Sequence, residues 1–326
     1  MNTLIKALAV STAAGAIAAC GNANTDGADA AYTVERVTFE SGGETLVGDL
    51  YIPAGADNEN RTDAIVVTGA WTTIKEHMSG TYAAEMAKRG DIALAFDFRN
   101  WGESGGATRS FENPALKIED IIAAGDYLST RPEVDAVNGL GICASAGYMA
   151  TAAEQSSTFK AIALVAPWLH NSAIVEQVYG GADGVASLIE TGRKAAAIEA
   201  DTGEPQLIPA SGPEGSAALM PGAPYYTEPG LGLIPEWENT FNLASWEGWL
   251  TFDGIRAATD VDQPFILVHS DDAAIPNGAH QFFANLAGEK DALWLEGVTQ
   301  FDFYHREDVV ATASDAVADF FARHPS

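Results

Sequence analysis

The chain has 326 residues, of which 47% are hydrophobic and 19% charged, and its formal net charge is −28. This length allows one large α/β domain or a core domain with an insertion. The strong negative charge argues against nucleic acids and anionic lipid surfaces as partners, because both would repel the protein.

The N-terminal segment is typical of an exported protein. Residues 1–19 place Lys6 before an apolar run from Ala7 to Ala19, which predicts a secretory signal peptide that is too short to span a bilayer. Cys20 follows at the expected cleavage point, and this ending resembles a bacterial lipobox, in which the cysteine becomes the lipidated first residue. Ordinary cleavage after Ala19 would instead leave Cys20 as a free thiol. We expect residues 20–31 to be a tether that anchors the protein in the bacterial cell envelope, facing the periplasm or at the outer membrane if the cell is Gram-negative.

Residues 32–326 predict a single α/β domain. Val34–Phe39 and Thr45–Tyr51 alternate apolar and polar residues around two glycines, which predicts an antiparallel hairpin. Further along, apolar runs typical of buried strands alternate with helical patterns. The strand runs are Ala64–Thr68, Ile92–Phe96, Asn138–Ile142, Ala161–Ala166, Phe265–His269 and Ala292–Leu295, and the helices are Ser79–Arg89, Ile118–Ser129, Ala144–Ser156 and Ser314–Arg323. This order predicts a mostly parallel central sheet with helices on both faces.

A long insertion at about 168–263 interrupts this alternation. It is rich in proline, tyrosine and tryptophan, and Glu176–Glu199 is helical in parts by its pattern. Insertions of this length usually form lids or binding loops, so we expect a lid; the alternative is a helical packing layer with the aromatic residues as its core. The aromatic residues favour a small-molecule substrate with an apolar or aromatic group.

The strongest chemical signal is the segment from Gly141 to Gly147, Gly-Ile-Cys-Ala-Ser-Ala-Gly. A nucleophile elbow holds its reactive residue on a strained turn between a strand and a helix, and the residues two before and two after it must be small. Two frames fit: Cys143 between Gly141 and Ser145, or Ser145 between Cys143 and Gly147. The second frame puts a cysteine at the tight position, so the spacing favours Cys143 as nucleophile and keeps Ser145 as the alternative.

This pattern resembles the dienelactone-hydrolase-related branch of the α/β-hydrolase superfamily, whose elbow reads Gly-x-Cys-x-Gly-Gly. The resemblance covers most of residues 34–323 and includes Asp97–Ser104, similar to the Asp-x-Arg-Gly-x-Gly-x-Ser turn after the fourth strand of these hydrolases. It implies an α/β-hydrolase fold with a long lid-like insertion.

The resemblance also implies an oxyanion hole beside Cys143. The loop after the third strand, Gly69–Glu76, would supply one amide from Ala70 or Trp71, and Ala144 would supply the other. A helix that starts directly after Cys143 is expected to lower the pKa of its thiol.

The acid and the base should follow the last two strands. Asp272 occupies the acid position in a turn similar to the family's Asp-x-x-Val-Pro. The family's histidine aligns with Gln300, and glutamine cannot accept or release a proton near neutral pH. His305, five residues further on, or a bound water would then have to handle the proton.

These residues leave three hypotheses for the function. The first is a hydrolase of esters, thioesters or lactones that uses Cys143, Asp272 and the oxyanion hole, and the second is an esterase with Ser145 as nucleophile. The third is a catalytically retired hydrolase fold that acts as a binding lipoprotein, because Gln300 replaces the expected histidine. We expect no cofactor and no metal, since no pair of histidines has metal-ligand spacing together with a third donor. With only Cys20 and Cys143 present, a disulfide framework is not expected either.

Overall fold

The computed structural model describes residues 31–325, so the expected signal peptide, Cys20 and residues 21–30 lie outside the described residues. The strands of the central sheet are β1 (Tyr32–Ser41), β2 (Glu44–Pro53), β3 (Thr62–Thr68), β4 (Ile92–Phe96), β5 (Val134–Ile142), β6 (Phe159–Val165), β7 (Phe265–His269) and β8 (Lys290–Trp294). They form one sheet in the order β1-β2-β4-β3-β5-β6-β7-β8. The pairs β1–β2 and β2–β4 are antiparallel and the other pairs are parallel. The predicted leading hairpin and the mostly parallel sheet are confirmed.

Helices pack on both faces of this sheet. Those that connect or follow its strands are α1 (Met78–Lys88), α2 (Pro114–Ser129), α3 (Ser145–Gln155), α8 (Pro276–Asn285), α9 (Asp302–His305) and α10 (Glu307–Arg323). Helix α1 packs against α10, and α2 packs against α3. Two helices begin earlier than predicted. Helix α2 begins at Pro114 because the Asn113 side chain accepts a hydrogen bond from the Leu116 amide. Helix α10 begins at Glu307, where acidic residues occupy its first turn.

The segment between β6 and β7 contains mostly short elements. These are α4 (Ser172–Val178), α5 (Gly181–Thr202), α6 (Pro224–Thr227), α7 (Ser245–Thr251), a 3₁₀ turn at Arg256–Thr259, and two small strand pairs, Leu207–Pro209 with Thr240–Asn242 and Ser211–Gly212 with Met220–Pro221. Its aromatic side chains are buried, among them Tyr226, Trp237 and Trp249. Trp237 Nε1 donates to the carbonyl oxygen of Thr72, so the insertion closes over the loop that follows β3. In residues 31–325 no helix is both long and apolar enough to cross a membrane.

Candidate active site

The turn at Cys143 has the geometry of a nucleophile elbow. Strand β5 ends at Ile142, Cys143 adopts a left-handed backbone with φ 57°, and α3 begins at Ser145. A non-glycine residue in this region is strained, which is a feature of functional turns. A Cβ atom on Gly141 would lie 2.8 Å from the Ser145 carbonyl oxygen and 2.9 Å from the Cα atom of Ala146. Because both of these are backbone atoms, only glycine fits two residues before Cys143.

Two backbone amides face the sulfur of Cys143. The amides of Ala144 and Trp71 lie close enough to Sγ for each to lower the pKa of the thiol. The Ala70 amide instead lies 3.4 Å from the sulfur of Met78. Of the two amides that the sequence left open for the oxyanion hole, Trp71 is therefore the one that reaches the elbow.

Burial raises the pKa of the Cys143 thiol above its ordinary value. The side chain is only 7% exposed, and desolvation disfavours the thiolate more than the hydrogen bonds to the sulfur stabilise it. The prediction that the start of α3 lowers the pKa of this thiol is therefore wrong. The site holds a neutral thiol near pH 7.

The alternative nucleophile, Ser145, is engaged elsewhere. Its side chain is fully buried in the first turn of α3, and its hydroxyl donates a short hydrogen bond to the carbonyl oxygen of Gly69. Strand β5 ends at Ile142, as the Cys143 frame requires, rather than at Ala144. The geometry therefore favours Cys143 over Ser145.

Gln300, at the position expected for histidine, contacts the sulfur of Cys143 together with Tyr304. The Nε2 atom of Gln300 donates to the Ala166 carbonyl oxygen and to the Tyr304 hydroxyl, both at 2.8 Å, and Oε1 accepts from the Ala274 amide at 3.1 Å. The Tyr304 hydroxyl lies beside the sulfur and lowers the pKa of the thiol. Burial raises the pKa of Tyr304 well above its ordinary value, so this residue is a neutral phenol.

Tyr304 is a site residue that the sequence reasoning missed. It lies in α9, four residues after Gln300, a spacing that places two side chains on the same side of a helical turn. The turn begins at Thr299, whose amide and hydroxyl both donate to the Asp302 carboxylate. A Thr-x-x-Asp sequence is a helix-start signal, and it could have indicated that Tyr304 folds back beside Gln300.

Asp272 and His305 do not reach the thiol. The exposed Asp272 carboxylate accepts a hydrogen bond from the Gly297 amide at 3.1 Å. His305 is exposed, and its Nδ1 atom lies 2.8 Å from the Phe301 carbonyl oxygen. Among residues 31–325, the structure gives neither side chain a hydrogen bond to Cys143 or Gln300.

Among residues 31–325, none of the other histidines has a hydrogen bond to Cys143. His77, His170 and His269 are buried, and burial lowers the pKa of each to about 4. His280 is exposed, pairs with Asp271 at 2.8 Å and stacks on Trp294. No group of three potential metal ligands occurs in the described part of the chain.

Comparison with known proteins places the chain in a family. No protein-family model matches it. It is 30% identical to the Escherichia coli (strain K12) protein YcjY over 288 residues, which cover 85% of this chain and 94% of that protein. It is also 30% identical to PA2218 of Pseudomonas aeruginosa over 308 residues, which cover 89% of this chain and 80% of that protein. The crystal structure of PA2218 superposes with a TM-score of 0.80 and 27% identity over 91% of this chain and 95% of that one.

More distant structures share the fold. The α/β hydrolase GrgF from Penicillium sp. sh18 superposes with a TM-score of 0.74 and 20% identity, over 90% of this chain and 99% of that one. A dienelactone hydrolase from Anabaena variabilis superposes with a TM-score of 0.55 and 11% identity, over 91% of this chain and 100% of that one. A shorter match links the chain to a thiohydrolase of Eupenicillium brefeldianum, 34% identical over 106 residues and 32% of each chain. The chain belongs to the family of YcjY and PA2218, and it has the α/β-hydrolase fold that its resemblance to the dienelactone-hydrolase-related branch predicted.

Proposed function

We propose that the protein is a hydrolase of esters, thioesters or lactones that uses Cys143 as its nucleophile. The observation that carries this proposal is the position of the sulfur, which lies in a left-handed elbow against the amides of Ala144 and Trp71. Two such amides can stabilise the oxyanion of an acyl-transfer reaction. The name of the thiohydrolase relative supports chemistry of this class.

The proton of the neutral thiol passes through Tyr304 in this mechanism. In this step the Tyr304 hydroxyl turns from the sulfur toward the leaving group. As the sulfur bonds to the acyl carbon, the thiol proton moves to the Tyr304 oxygen, while the Tyr304 hydroxyl proton moves to the leaving oxygen or sulfur as its bond to carbon breaks. Water then attacks the acyl-cysteine, and its proton returns to the sulfur by the same path. Gln300 orients the phenol through its 2.8 Å hydrogen bond. This concerted relay requires no charged base at the site.

The acyl group in this proposal is apolar or aromatic. Trp71 stacks on Trp249 with ring centroids 4.7 Å apart and also packs against Phe241. The insertion adds Tyr226, which is fully buried close to Cys143. Aromatic walls with few polar groups are typical of sites for small apolar ligands.

The test is a rapid-mixing burst measurement with p-nitrophenyl acetate. The wild type should release a stoichiometric burst of nitrophenol and carry an acetyl group on Cys143 by mass spectrometry, whereas Cys143→Ala should show neither. Ser145→Ala is the matched control. Labelling by a fluorophosphonate that survives Cys143→Ala and disappears in Ser145→Ala would assign the nucleophile to Ser145 instead.

A catalytically retired, ligand-binding protein is the second candidate. It is favoured by the observation that the two side chains that lower the pKa of the thiol are Gln300 and Tyr304, and neither is a base at neutral pH. Under this proposal the wild type shows no burst. Gln300→His would then give a gain of esterase activity, provided that the new imidazole reaches the sulfur.

We also propose that the protein is held in the bacterial cell envelope by a lipid on Cys20. The support is the signal-like segment before this cysteine. Mass spectrometry of the N-terminal peptide from the native protein should find a diacylated or triacylated Cys20. An unmodified cysteine in that peptide would contradict the anchor.

A further inference from the structure

The carboxylate of Glu112 is fully buried beside the loop that follows β3, and the proposed chemistry does not use it. Its Oε1 atom accepts from the Tyr148 hydroxyl at 2.8 Å. Its Oε2 atom accepts from Lys117 Nζ at 2.8 Å and lies 3.4 Å from the Thr72 amide. The backbone amide of Glu112 donates to the Ser245 hydroxyl at 2.9 Å. Four separate segments of the chain therefore converge on one residue.

Stability alone does not account for this arrangement. Lys117 is buried as well, and its ammonium lies over the rings of Phe98 and Trp101 at 4.5 and 5.1 Å. Taking both charges out of water costs free energy that their attraction only partly offsets, so apolar residues of similar volume can be equally stable. The ion pair is therefore a candidate for a role in positioning.

The contact with Thr72 indicates what is positioned. Thr72 directly follows Trp71 and has a left-handed backbone with φ 64°, which is unusual for a β-branched residue. Its amide faces Glu112, and its carbonyl oxygen accepts from Trp237 Nε1 at 2.7 Å. Holding the peptide between Trp71 and Thr72 limits the directions that the preceding amide of Trp71 can take.

We infer that Glu112 is a positioning residue of the oxyanion hole, one that directs the Trp71 amide toward Cys143. The same carboxylate holds Tyr148 in α3, the helix that begins next to Cys143. The backbone amide of Glu112 also ties this framework to the insertion, through the Ser245 hydroxyl. This inference rests on the proposed function, because it assigns the Trp71 amide to the oxyanion.

The test compares two reactions of the same thiol. Acylation by p-nitrophenyl acetate requires the oxyanion hole, whereas alkylation by iodoacetamide requires an accessible thiolate but no oxyanion hole. The alkylation rates are therefore compared per thiolate, with the thiolate fraction taken from the pH profile of each variant. Glu112→Gln alone would strand a buried lysine, so the informative variant is Glu112→Gln with Lys117→Met, which removes both charges at similar volume. The matched control is Arg99→Met with Asp120→Asn, another buried ion pair, whose side chains bond to each other and to Ser41.

We expect acylation by the Glu112–Lys117 double variant to slow by about 10²-fold, as for loss of one oxyanion donor, with alkylation nearly unchanged. The control should change neither rate. Equal losses in both reactions would show a structural role only, and unchanged acylation would show no role; either result overturns the inference while leaving the proposed function intact. A wild type that shows no burst would overturn both this inference and the proposed function.

Discussion

Replacing Tyr304 by phenylalanine is the sharpest test of the site, because it removes one hydroxyl and keeps the ring. The ring would retain its packing against Tyr225 and Phe301, with centroids 5.3 and 5.7 Å away. Gln300 Nε2 would keep its bond to the Ala166 carbonyl oxygen, so the free energy of unfolding should fall by only about 1 kcal/mol. The rate of acylation should fall much more than the stability does. Acylation should slow by about 10²- to 10⁴-fold, the range associated with loss of general acid–base catalysis.

The same variant should change the titration of Cys143. The hydrogen bond from Tyr304 lowers the pKa of the thiol, against the larger effect of burial, so its removal should raise that pKa further. The iodoacetamide rate as a function of pH should therefore shift to higher pH in Tyr304→Phe. Tyr225→Phe is the control, because the Tyr225 ring neighbours that of Tyr304 while its hydroxyl faces the Met78 backbone. An unchanged burst rate together with an unchanged alkylation profile would refute the role of Tyr304.

Three further predictions concern the elbow and the pH dependence of stability. Gly141→Ala should abolish the burst and lower the free energy of unfolding in urea by about 1–3 kcal/mol, because its Cβ would meet backbone atoms at 2.8 and 2.9 Å; a fully active variant would contradict the elbow geometry. Ser145→Ala should keep the burst and lose about 1–3 kcal/mol by leaving a buried carbonyl oxygen unpaired; a lost burst with an intact fold would revive Ser145 as nucleophile. Burial lowers the pKa of His269 to about 4, below its value of about 6.5 in an unfolded chain. Its stabilising contribution is therefore present above about pH 6.5 and is lost as the pH falls toward 4, by up to about 3 kcal/mol. Urea titrations of His269→Phe should show a correspondingly smaller acid loss, and an equal loss would contradict this assignment.

The sequence predicted the features that depend on backbone constraints. Gly141 and Cys143 could be recognised because an elbow admits few residue types, and the alternation of buried strands and helices indicated the parallel sheet. The contacts of Tyr304 and Glu112 could not be predicted in the same way. The Tyr304 contact had only the helix-start signal at Thr299 to indicate it, and the contacts of Glu112 join segments far apart in the chain, which leaves no periodic pattern. The predicted direction of the Cys143 pKa shift was wrong because burial outweighs the effect of the helix start.

The cysteine in the elbow and the glutamine at position 300 are chemically consistent with each other. A serine hydroxyl requires a base to become a useful nucleophile, whereas a cysteine depends on one less, because its sulfur is more acidic and more nucleophilic than the serine oxygen. Gln300 is also firmly built into the fold, because both ends of its amide are bonded, to the Ala166 carbonyl oxygen, the Ala274 amide and the Tyr304 hydroxyl. A histidine at this position could not satisfy all three partners, since a neutral imidazole has one donor and one acceptor. The glutamine thus fits a site in which a neutral phenol, rather than a charged base, accompanies the thiol.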